Sequence, residues 1–294
     1  MRNALLSAVF TACALVVVAP GSAITGGHYD GNDHPYVGFA DNGVIACSGT
    51  LLSPTVMLTA AHCFTGTTSV FGTNSLTGAP IIRVSFDPNL LNTPKPQRVW
   101  FFGSYYADPD FALGAGNGLP GTATHDVALV VLTSQGCSVP EGQTGACGPV
   151  PAGATLAQYG ALPSRDVVSG LSTNTALEIV GFGVQDFSRG GGPCGGPCKP
   201  QRGDAFTRYA GPTTLIGSND RLSSSFIKLH ANDSGVCFGD SGGPALLAGT
   251  RTVLAVNSFD TNDLCSGVTY SYRVDGAATL GWIASAVAAA GASL

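Results

Sequence analysis

The sequence contains few charged residues, which make up only 11% of its 294 positions. Thirteen lysines and arginines stand against 18 acidic residues, and the formal net charge is −5. The basic residues do not gather into the dense patch that binding to nucleic acid requires. We therefore expect no nucleic-acid partner.

Long apolar runs are missing as well, apart from one at the N-terminus. Ala4 to Ala19 is about 16 residues long, whereas a membrane-spanning helix needs about 20. Arg2 precedes this run and small residues up to Ala23 follow it, which is the pattern of a signal peptide. The alternative, an N-terminal core helix, conflicts with the break at Pro20-Gly21. We expect residues 1–23 to be removed and the mature protein to be secreted without membrane contact.

Helical periodicity is scarce, and only Ala277–Ala290 places apolar residues at helical spacing. Elsewhere, short β-rich runs are separated by turn residues, and glycine alone occurs 41 times. This pattern predicts an all-β barrel or sandwich. The predicted strands are Gly43–Leu52, Val56–Ala60, Ile81–Phe86, Gln97–Phe102, Val127–Thr133, Leu177–Val184, Ser225–Leu229, Thr252–Ser258 and Val268–Val274.

Cysteine is well represented, with nine residues, of which Cys13 leaves with the signal peptide. The other eight are an even number in an oxidising compartment, which predicts disulfide bonds. Spacing alone does not decide how they pair. The pair Cys194 and Cys198 is half of a zinc-binding pattern and has no second half. We expect neither a metal nor a cofactor.

A segment rich in glycine and proline, Ser134–Ala154, divides the mature chain into two halves of similar size. Two other segments have the composition of insertions, the aromatic Val99–Gly114 and the Gly/Pro-rich Ser188–Pro200. We expect a hairpin for the first and a stapled loop for the second, with surface contact sites as the alternative.

Three short motifs carry candidate chemistry. They are Thr59-Ala60-Ala61-His62-Cys63, the pair His125-Asp126 before an apolar run, and Cys237-Phe238-Gly239-Asp240-Ser241-Gly242-Gly243-Pro244. Singly, they have plain explanations: a core histidine, an aspartate with local polar partners, and a serine in a glycine turn. Together they offer a base, an orienting acid and a nucleophile in the order His, Asp, Ser.

These motifs resemble the signatures of the chymotrypsin/trypsin-like serine protease family, whose TAAHC and GDSGGP sequences they match without change. The Ile24-Thr25-Gly26-Gly27 start, Gly181–Gly183 and Gly281-Trp282-Ile283 extend the resemblance over nearly the whole mature chain. The resemblance implies two packed six-stranded antiparallel β-barrels with a short C-terminal α-helix. It predicts an N-terminal barrel over residues 24–140, a C-terminal barrel over 141–276 and a helical end over 277–294.

The same resemblance implies a secreted serine endopeptidase that hydrolyses peptide bonds through an acyl-enzyme. His62 would be the general base, Asp126 its orienting acceptor and Ser241 the nucleophile. Backbone N–H groups of Gly239 and Ser241 would form the oxyanion hole, each contributing roughly 3 kcal/mol. The implied partners are protein or peptide substrates and protein inhibitors, and the implied state is a monomer.

Asp240 is not needed as a base, and the resemblance gives it another role. In the family, a newly freed α-ammonium group buries itself against this aspartate and shapes the oxyanion hole. Ile24 occupies that N-terminal position, and Thr25 replaces the more usual valine. Because the signal peptide ends at Ala23, we hypothesise that its removal is also the activating cut.

The resemblance further pairs Cys47 with Cys63 and Cys237 with Cys265, leaving Cys137–Cys147 and Cys194–Cys198 as plausible local pairs. Substrate-pocket positions fall on Gly235, Val236, Phe238, Ser258, Phe259, Asp260 and Thr269. Gly235 stands where trypsin-like members carry an aspartate, so we expect an uncharged substrate side chain. The acid at the pocket mouth, Asp260, leaves a basic side chain as the alternative.

Two other functions stay open. One is a catalytically inactive relative that serves as a binding module, against which the intact His62, Asp126 and Ser241 argue. The other is a non-enzymatic, disulfide-rich secreted β protein, which leaves three ordered motifs without an explanation.

Overall fold

The computed structural model describes residues 24–112, 125–132, 158–184, 205–217, 225–231, 234–260 and 265–294. The predicted signal peptide, the segments Ser134–Ala154 and Ser188–Pro200, and the cysteines Cys137, Cys147, Cys194 and Cys198 lie outside these residues. The predicted domain boundary at residue 140 lies outside them too, and it stays a prediction.

Strands make up most of the described chain. In order they are β1 (His28–Tyr29), β2 (Val37–Asp41), β3 (Ala46–Ser53), β4 (Val56–Thr59), β5 (Ile81–Ser85), β6 (Phe101–Ala107), β7 (Ala128–Leu132), β8 (Ala176–Gly181), β9 (Tyr209–Gly217), β10 (Phe226–Ala231), β11 (Pro244–Leu247), β12 (Val253–Asp260) and β13 (Gly267–Arg273), followed by the helix α1 (Ala277–Ala289).

The first barrel closes antiparallel strands in the order β2-β3-β4-β7-β6-β5. Its shortest strand, β4, is buried at every position and pairs with β3 on one side and β7 on the other. Aliphatic side chains such as Leu58, Ile82 and Leu129 have no exposed surface and fill the core. Burial of a side chain of this size contributes about 1.5–3 kcal/mol. The pairing of β4 with β7 places the residues that follow β4 and precede β7 at one end of the barrel.

The second barrel runs β9-β10-β13-β12-β11-β8 and closes through the pairing of β8 with β9. The short β1 adds to β9, with His28 opposite Ala210. From Ile24 the described chain therefore runs along the second barrel and then enters the first barrel at β2.

The helix α1 follows the second barrel and contributes Ile283 and Val287 to an apolar core that also contains residues of β7. It ends at Ala289, earlier than the predicted helical end over 277–294, because Gly291 takes a left-handed φ of 68° that stops the helix. In the part of the chain that the structure describes, no helix has the length and apolar character that would cross a membrane.

The predicted fold class is confirmed: two closed six-stranded antiparallel barrels and a C-terminal helix. The interpretation of Val99–Gly114 as an insertion is wrong for its first half. Phe101–Ala107 forms β6, which pairs with both β5 and β7 and is needed to close the first barrel. Its aromatic residues resemble a surface patch in the sequence because aromatic side chains suit a pleated, half-buried strand equally well.

Candidate active site

His62 lies just after β4, in a one-turn 3₁₀ helix over Ala61–Cys63. Two contacts hold this turn. The Cys47–Cys63 disulfide ties it to β3. The Tyr105 hydroxyl, from β6, donates a hydrogen bond of 2.7 Å to the carbonyl oxygen of Ala61. These two contacts fix the turn that carries His62, and 27% of the His62 side-chain surface is exposed.

Asp126 directly precedes β7 and is 3% exposed. Its carboxylate accepts hydrogen bonds of 2.8 Å from the backbone N–H of His62 and from His62 Nδ1, and another from the Ser258 hydroxyl. Burial by itself raises the pKa of Asp126, but the charge and hydrogen bonds of His62 and the Ser258 bond outweigh burial and lower it. The aspartate is therefore ionised near neutral pH.

The same pair shifts the pKa of His62 in the opposite direction. Burial lowers it, but the charge of Asp126 and the hydrogen bond to Nδ1 outweigh burial and hold the pKa above the ordinary 6.5. An imidazole with a raised pKa is a stronger base once it is neutral. With Nδ1 engaged by Asp126, the tautomer places the free lone pair on Nε2.

Ser241 sits in the turn before β11, and two bonds from Ser48 on β3 fix that turn. The backbone N–H of Ser48 donates to the carbonyl oxygen of Ser241 at 2.8 Å, and its hydroxyl donates to that of Gly239 at 2.8 Å. Gly239 has a left-handed φ of 102°, and a Cβ there would come within 2.8 Å of the Cα of Gly183. Only glycine fits this position without strain.

Two peptide planes in this turn have defined orientations. The carbonyl oxygen of Phe238 accepts the N–H of Val184 at 2.8 Å, and that of Asp240 accepts the N–H of Gly243 at 2.9 Å. In a trans peptide the N–H points away from the carbonyl, and the described residues contain no cis peptide. The N–H groups of Gly239 and Ser241 therefore point away from Val184 and Gly243.

His62, Gly239 and Ser241 line one cleft of about 420 Å³. Five of the seven predicted pocket residues also line it: Val236, Phe238, Ser258, Phe259 and Asp260. Gly235 and Thr269 do not. The backbone of Gly235 is hydrogen-bonded to that of Thr25 instead. Thr269 is only 1% exposed, and it pairs with Asp260 where β13 runs beside β12.

Asp240 points away from the cleft and is fully buried. Its carboxylate accepts backbone N–H groups from Gly183 at 2.8 Å, from Cys237 at 2.9 Å, and from Ile24. Burial raises the pKa of Asp240 to about 7, although these three hydrogen bonds oppose the rise. A carboxylate in this state favours a cationic partner, which would hold it ionised.

Ile24 itself is fully buried, and the next residue, Thr25, contacts two segments next to the cleft. The Thr25 hydroxyl lies 3.2 Å from the carbonyl oxygen of Cys265 and 3.3 Å from that of Gly235. Valine, which the family carries at this position, has no hydroxyl to make these contacts. The Cys237–Cys265 disulfide, present as the resemblance implied, connects the same two segments.

Two clusters of potential metal ligands occur among the described residues. In the first, Cys47 and Cys63 accompany His62, but both sulfurs are consumed by their disulfide and are not thiolate ligands. In the second, Asp108, Asp110 and His125 lie together, and His125 Nδ1 is 3.3 Å from Asp108 Oδ2, as in an ion pair. The expectation that no metal is involved stays a prediction.

Sequence reasoning missed several residues of this site. It assigned Ser258 to the substrate pocket but not to Asp126, and it did not identify Ser48 or the cleft residues Ile45 and Ala46. Ile45 and Ala46 directly precede Cys47, and their closeness to an expected active-site disulfide is the signal that would have found them.

The trypsin family model matches residues 23–91 of the chain. That segment contains His62 and Ile24. The search of curated proteins finds no significant match.

Solved structures with the same fold cover nearly all of the chain. The human heparin-binding protein matches with a TM-score of 0.57 and 18% identity, over 88% of this chain and 95% of its own. A structure titled HL collagenase matches with a TM-score of 0.57 and 18% identity, over 94% of this chain and 100% of its own. At this identity the two likenesses show the fold alone. The chain thus resembles the trypsin family in residues 23–91 and shares the fold of these two structures over most of its length.

Proposed function

We propose that the protein is a secreted serine endopeptidase that uses His62, Asp126 and Ser241. The observation that carries this proposal is the hydrogen bond from His62 to the buried Asp126, with His62 lining the same cleft as Ser241. A histidine–aspartate pair with a purely structural role does not need a serine of a glycine-rich turn beside its histidine, whereas a catalytic pair does.

The chemistry follows from the groups in the cleft. Ser241 attacks the carbonyl carbon of a bound peptide while Nε2 of His62 accepts the hydroxyl proton. Asp126 stabilises the resulting imidazolium and keeps the ring in position. His62 then gives the proton to the departing amine, which leaves an acyl-enzyme on Ser241. A water molecule, deprotonated by His62, attacks the ester carbonyl. As the ester bond breaks, His62 returns the proton to the Ser241 oxygen, and the acid is released.

The negative charge on the former carbonyl oxygen needs donors. The orientations of the Phe238–Gly239 and Asp240–Ser241 peptides support the N–H groups of Gly239 and Ser241 in that role. Because both carbonyls are bonded elsewhere, the donors are held before substrate arrives.

We further propose that the mature protein begins at Ile24. In the uncut chain Ile24 has a φ of 46°, a left-handed value that strains a β-branched residue. A first residue has no φ angle, so the cut after Ala23 would remove this strain. The cut would also turn the Ile24 amide into an ammonium beside Asp240, whose carboxylate is buried among neutral donors.

The test is labelling with a fluorophosphonate, which reacts with an activated serine. We expect the secreted protein to be labelled and Ser241→Ala to give no signal. Ser48→Ala would not serve as a control because Ser48 supports the turn, so Ser285→Ala, on the exposed side of α1, is the matched variant and should label normally. A correctly folded protein that the probe does not label would support the inactive binding module instead.

A further inference from the structure

Asp126 lies in a tight turn whose first residue has a strained backbone. The N–H of Val127 donates to the carbonyl oxygen of His125 at 2.7 Å, so the three residues form a γ-turn with Asp126 at its centre. His125 has a φ of 45°, a left-handed value that is unfavourable for any residue with a Cβ. Strain of this kind persists only where the surrounding structure holds it, and it is frequent at functional sites.

Asp108 holds the strained turn from the neighbouring strand. It directly follows β6, and its N–H donates to the carbonyl oxygen of Val127 at 3.0 Å. The Asp108 side chain is 4% exposed, and its Oδ2 lies 3.3 Å from Nδ1 of His125. Its other oxygen, Oδ1, accepts the N–H of Asp110 at 3.0 Å, which fixes the carboxylate. Both the backbone and the side chain of Asp108 therefore support the turn that carries Asp126.

The residue type at position 125 fits both of these conditions. Asn, Asp and His take the left-handed conformation several times more often than other residues with a Cβ. The Nδ1 of a histidine stands two bonds beyond Cβ, as does the amide nitrogen of an asparagine. Because the carboxylate of Asp108 accepts a hydrogen bond, Nδ1 of His125 is the donor in this contact.

The conformation of His125 affects the direction in which the Asp126 side chain leaves the backbone. The Asp126 carboxylate accepts bonds of 2.8 Å from the N–H and Nδ1 of His62, and another from the Ser258 hydroxyl. All three donors converge on one short side chain. If His125 relaxed to an ordinary φ, the Asp126 side chain would be redirected, and these bonds would lengthen or break.

We propose that His125, held by Asp108, is a positioning residue that directs the side chain of Asp126 towards His62. Its effect on catalysis rests on the proposed protease function. The described residues that line the cleft do not include His125 or Asp108. Loss of the positioning should therefore slow the chemical step and leave substrate binding nearly unchanged.

The test compares His125→Gln with His125→Asn. Both variants remove the imidazole ring and its charge, and both carry a side-chain amide. Only asparagine keeps a donor at the δ position and a high tolerance of the left-handed backbone. We expect kcat for a peptide substrate to fall about 10- to 10²-fold in His125→Gln, with KM little changed. His125→Asn should stay close to wild type, whereas a role that needs only a polar side chain predicts the same result for both variants.

The pKa of His62, followed by NMR titration, gives a readout that does not depend on activity. Asp126 raises that pKa above 6.5, so a displaced Asp126 should let it fall. We expect a lower pKa of His62 in His125→Gln than in wild type, and a restored pKa in His125→Asn. His28→Gln makes the same change at an exposed histidine, and it should leave the pKa of His62 where it is.

The two readouts separate the positioning role from the protease function. If the pKa of His62 falls in His125→Gln alone but even the wild type cleaves no peptide, the positioning role is supported and the protease function is wrong. Equal pKa values of His62 in His125→Gln and His125→Asn would overturn the positioning role, whether or not peptides are cleaved. If His125→Gln does not fold, His125→Ala removes the same donor and is compared with His125→Asn by the same criteria.

Discussion

Asp126 receives three hydrogen bonds at a position where the chain enters a fully apolar strand. An uncompensated buried carboxylate would cost several kcal/mol, so each donor has a stabilising as well as an orienting effect. Two of the three donors belong to His62, which means that the acid and the base cannot move independently. The pKa values of both groups express this coupling: that of Asp126 is lowered and that of His62 is raised.

This coupling predicts the pH profile of the proposed protease. His62 must be neutral to accept a proton, so activity is lost as pH falls through its pKa, and the acid limb of kcat/KM should lie above pH 6.5. In Asp126→Asn the charge that raises the pKa is gone and burial remains. The acid limb should then move below 6.5, and kcat should fall by about 10³–10⁴-fold.

The measurement is kcat/KM from pH 5 to 9 for both proteins, with a short peptide amide that has no peptide residue after the cleaved bond as the substrate. Asp166→Asn, which removes an exposed carboxylate paired with Arg165, serves as the control and should leave the profile in place. An acid limb at the same pH in wild type and Asp126→Asn would contradict the assignment of this limb to His62.

At the scale of elements, the segment around β1 connects the two barrels. Arg208, just before β9, is completely buried; it donates to Asp30 after β1 at 2.6 Å and to the carbonyl oxygen of Val37 in β2 at 3.0 Å. His34 adds a second link, since it bonds to Asp30 and lies 3.5 Å from Glu178 on β8. The ion pairs hold together the segment that leads from Ile24 into the first barrel.

This link predicts a stability change in mildly alkaline solution. Burial lowers the pKa of His34, but Asp30 and Glu178 outweigh burial and raise it to about 9. The stabilisation is therefore fully present below pH 6.5 and is lost as pH rises from 6.5 toward 9. It amounts to on the order of 3 kcal/mol.

Urea unfolding at pH 6 and pH 9 measures this effect. We expect His34→Asn to be less stable than wild type at pH 6 and to lose less stability than wild type between the two values. Comparing the two proteins removes the contribution of Asp240, whose pKa of about 7 falls in the same window. Equal losses in both proteins would show that His34 does not carry the effect.

The elements also show what could be predicted from sequence. Strands with runs of β-branched and aliphatic residues, such as β7, were recognised because their pattern is local. The strands β2 (Val37–Asp41), β9 (Tyr209–Gly217) and β11 (Pro244–Leu247) were missed. They contain Gly, Ala, Pro or Asp, residues that are depleted in strands, and pairing within the barrels overrides that propensity.

The candidate site likewise contains residues that local motifs identify and contacts that no local motif indicates. His62, Asp126 and Ser241 stand in continuous motifs, so the sequence alone could single them out as candidates, and their catalytic roles stay a proposal. The bond from Ser258 to Asp126 joins residues 132 positions apart, and the cleft joins residues of both barrels. Such contacts depend on strand register and on the packing of the barrels, which no single stretch of sequence encodes.

At the scale of the whole molecule, the proposed cut before Ile24 is linked to the cleft. Ile24 reaches the buried carboxylate of Asp240, which is adjacent in sequence to the proposed nucleophile, and Thr25 contacts both segments joined by the Cys237–Cys265 disulfide. Among the described residues, the donors to this buried carboxylate are the neutral backbone N–H groups of Cys237, Gly183 and Ile24. The turn that carries Ser241 should therefore be stabilised when a cation arrives.

This arrangement predicts that a free amino group at Ile24 is required for activity. Protein beginning at Ile24 should cleave the short amide, whereas protein with one extra residue before Ile24 should be about 10²–10³-fold slower, because a buried charge without its partner costs about 3–5 kcal/mol. An α-amino group ordinarily titrates near ~8, and pairing with Asp240 raises that value, so activity should fall at higher pH.

Asp240→Asn should be slow with either N-terminus. N-terminal sequencing of the secreted protein completes the test. A natural start at another residue, or equal activity of the two forms, would overturn the proposal that a single cleavage both releases the protein and activates it.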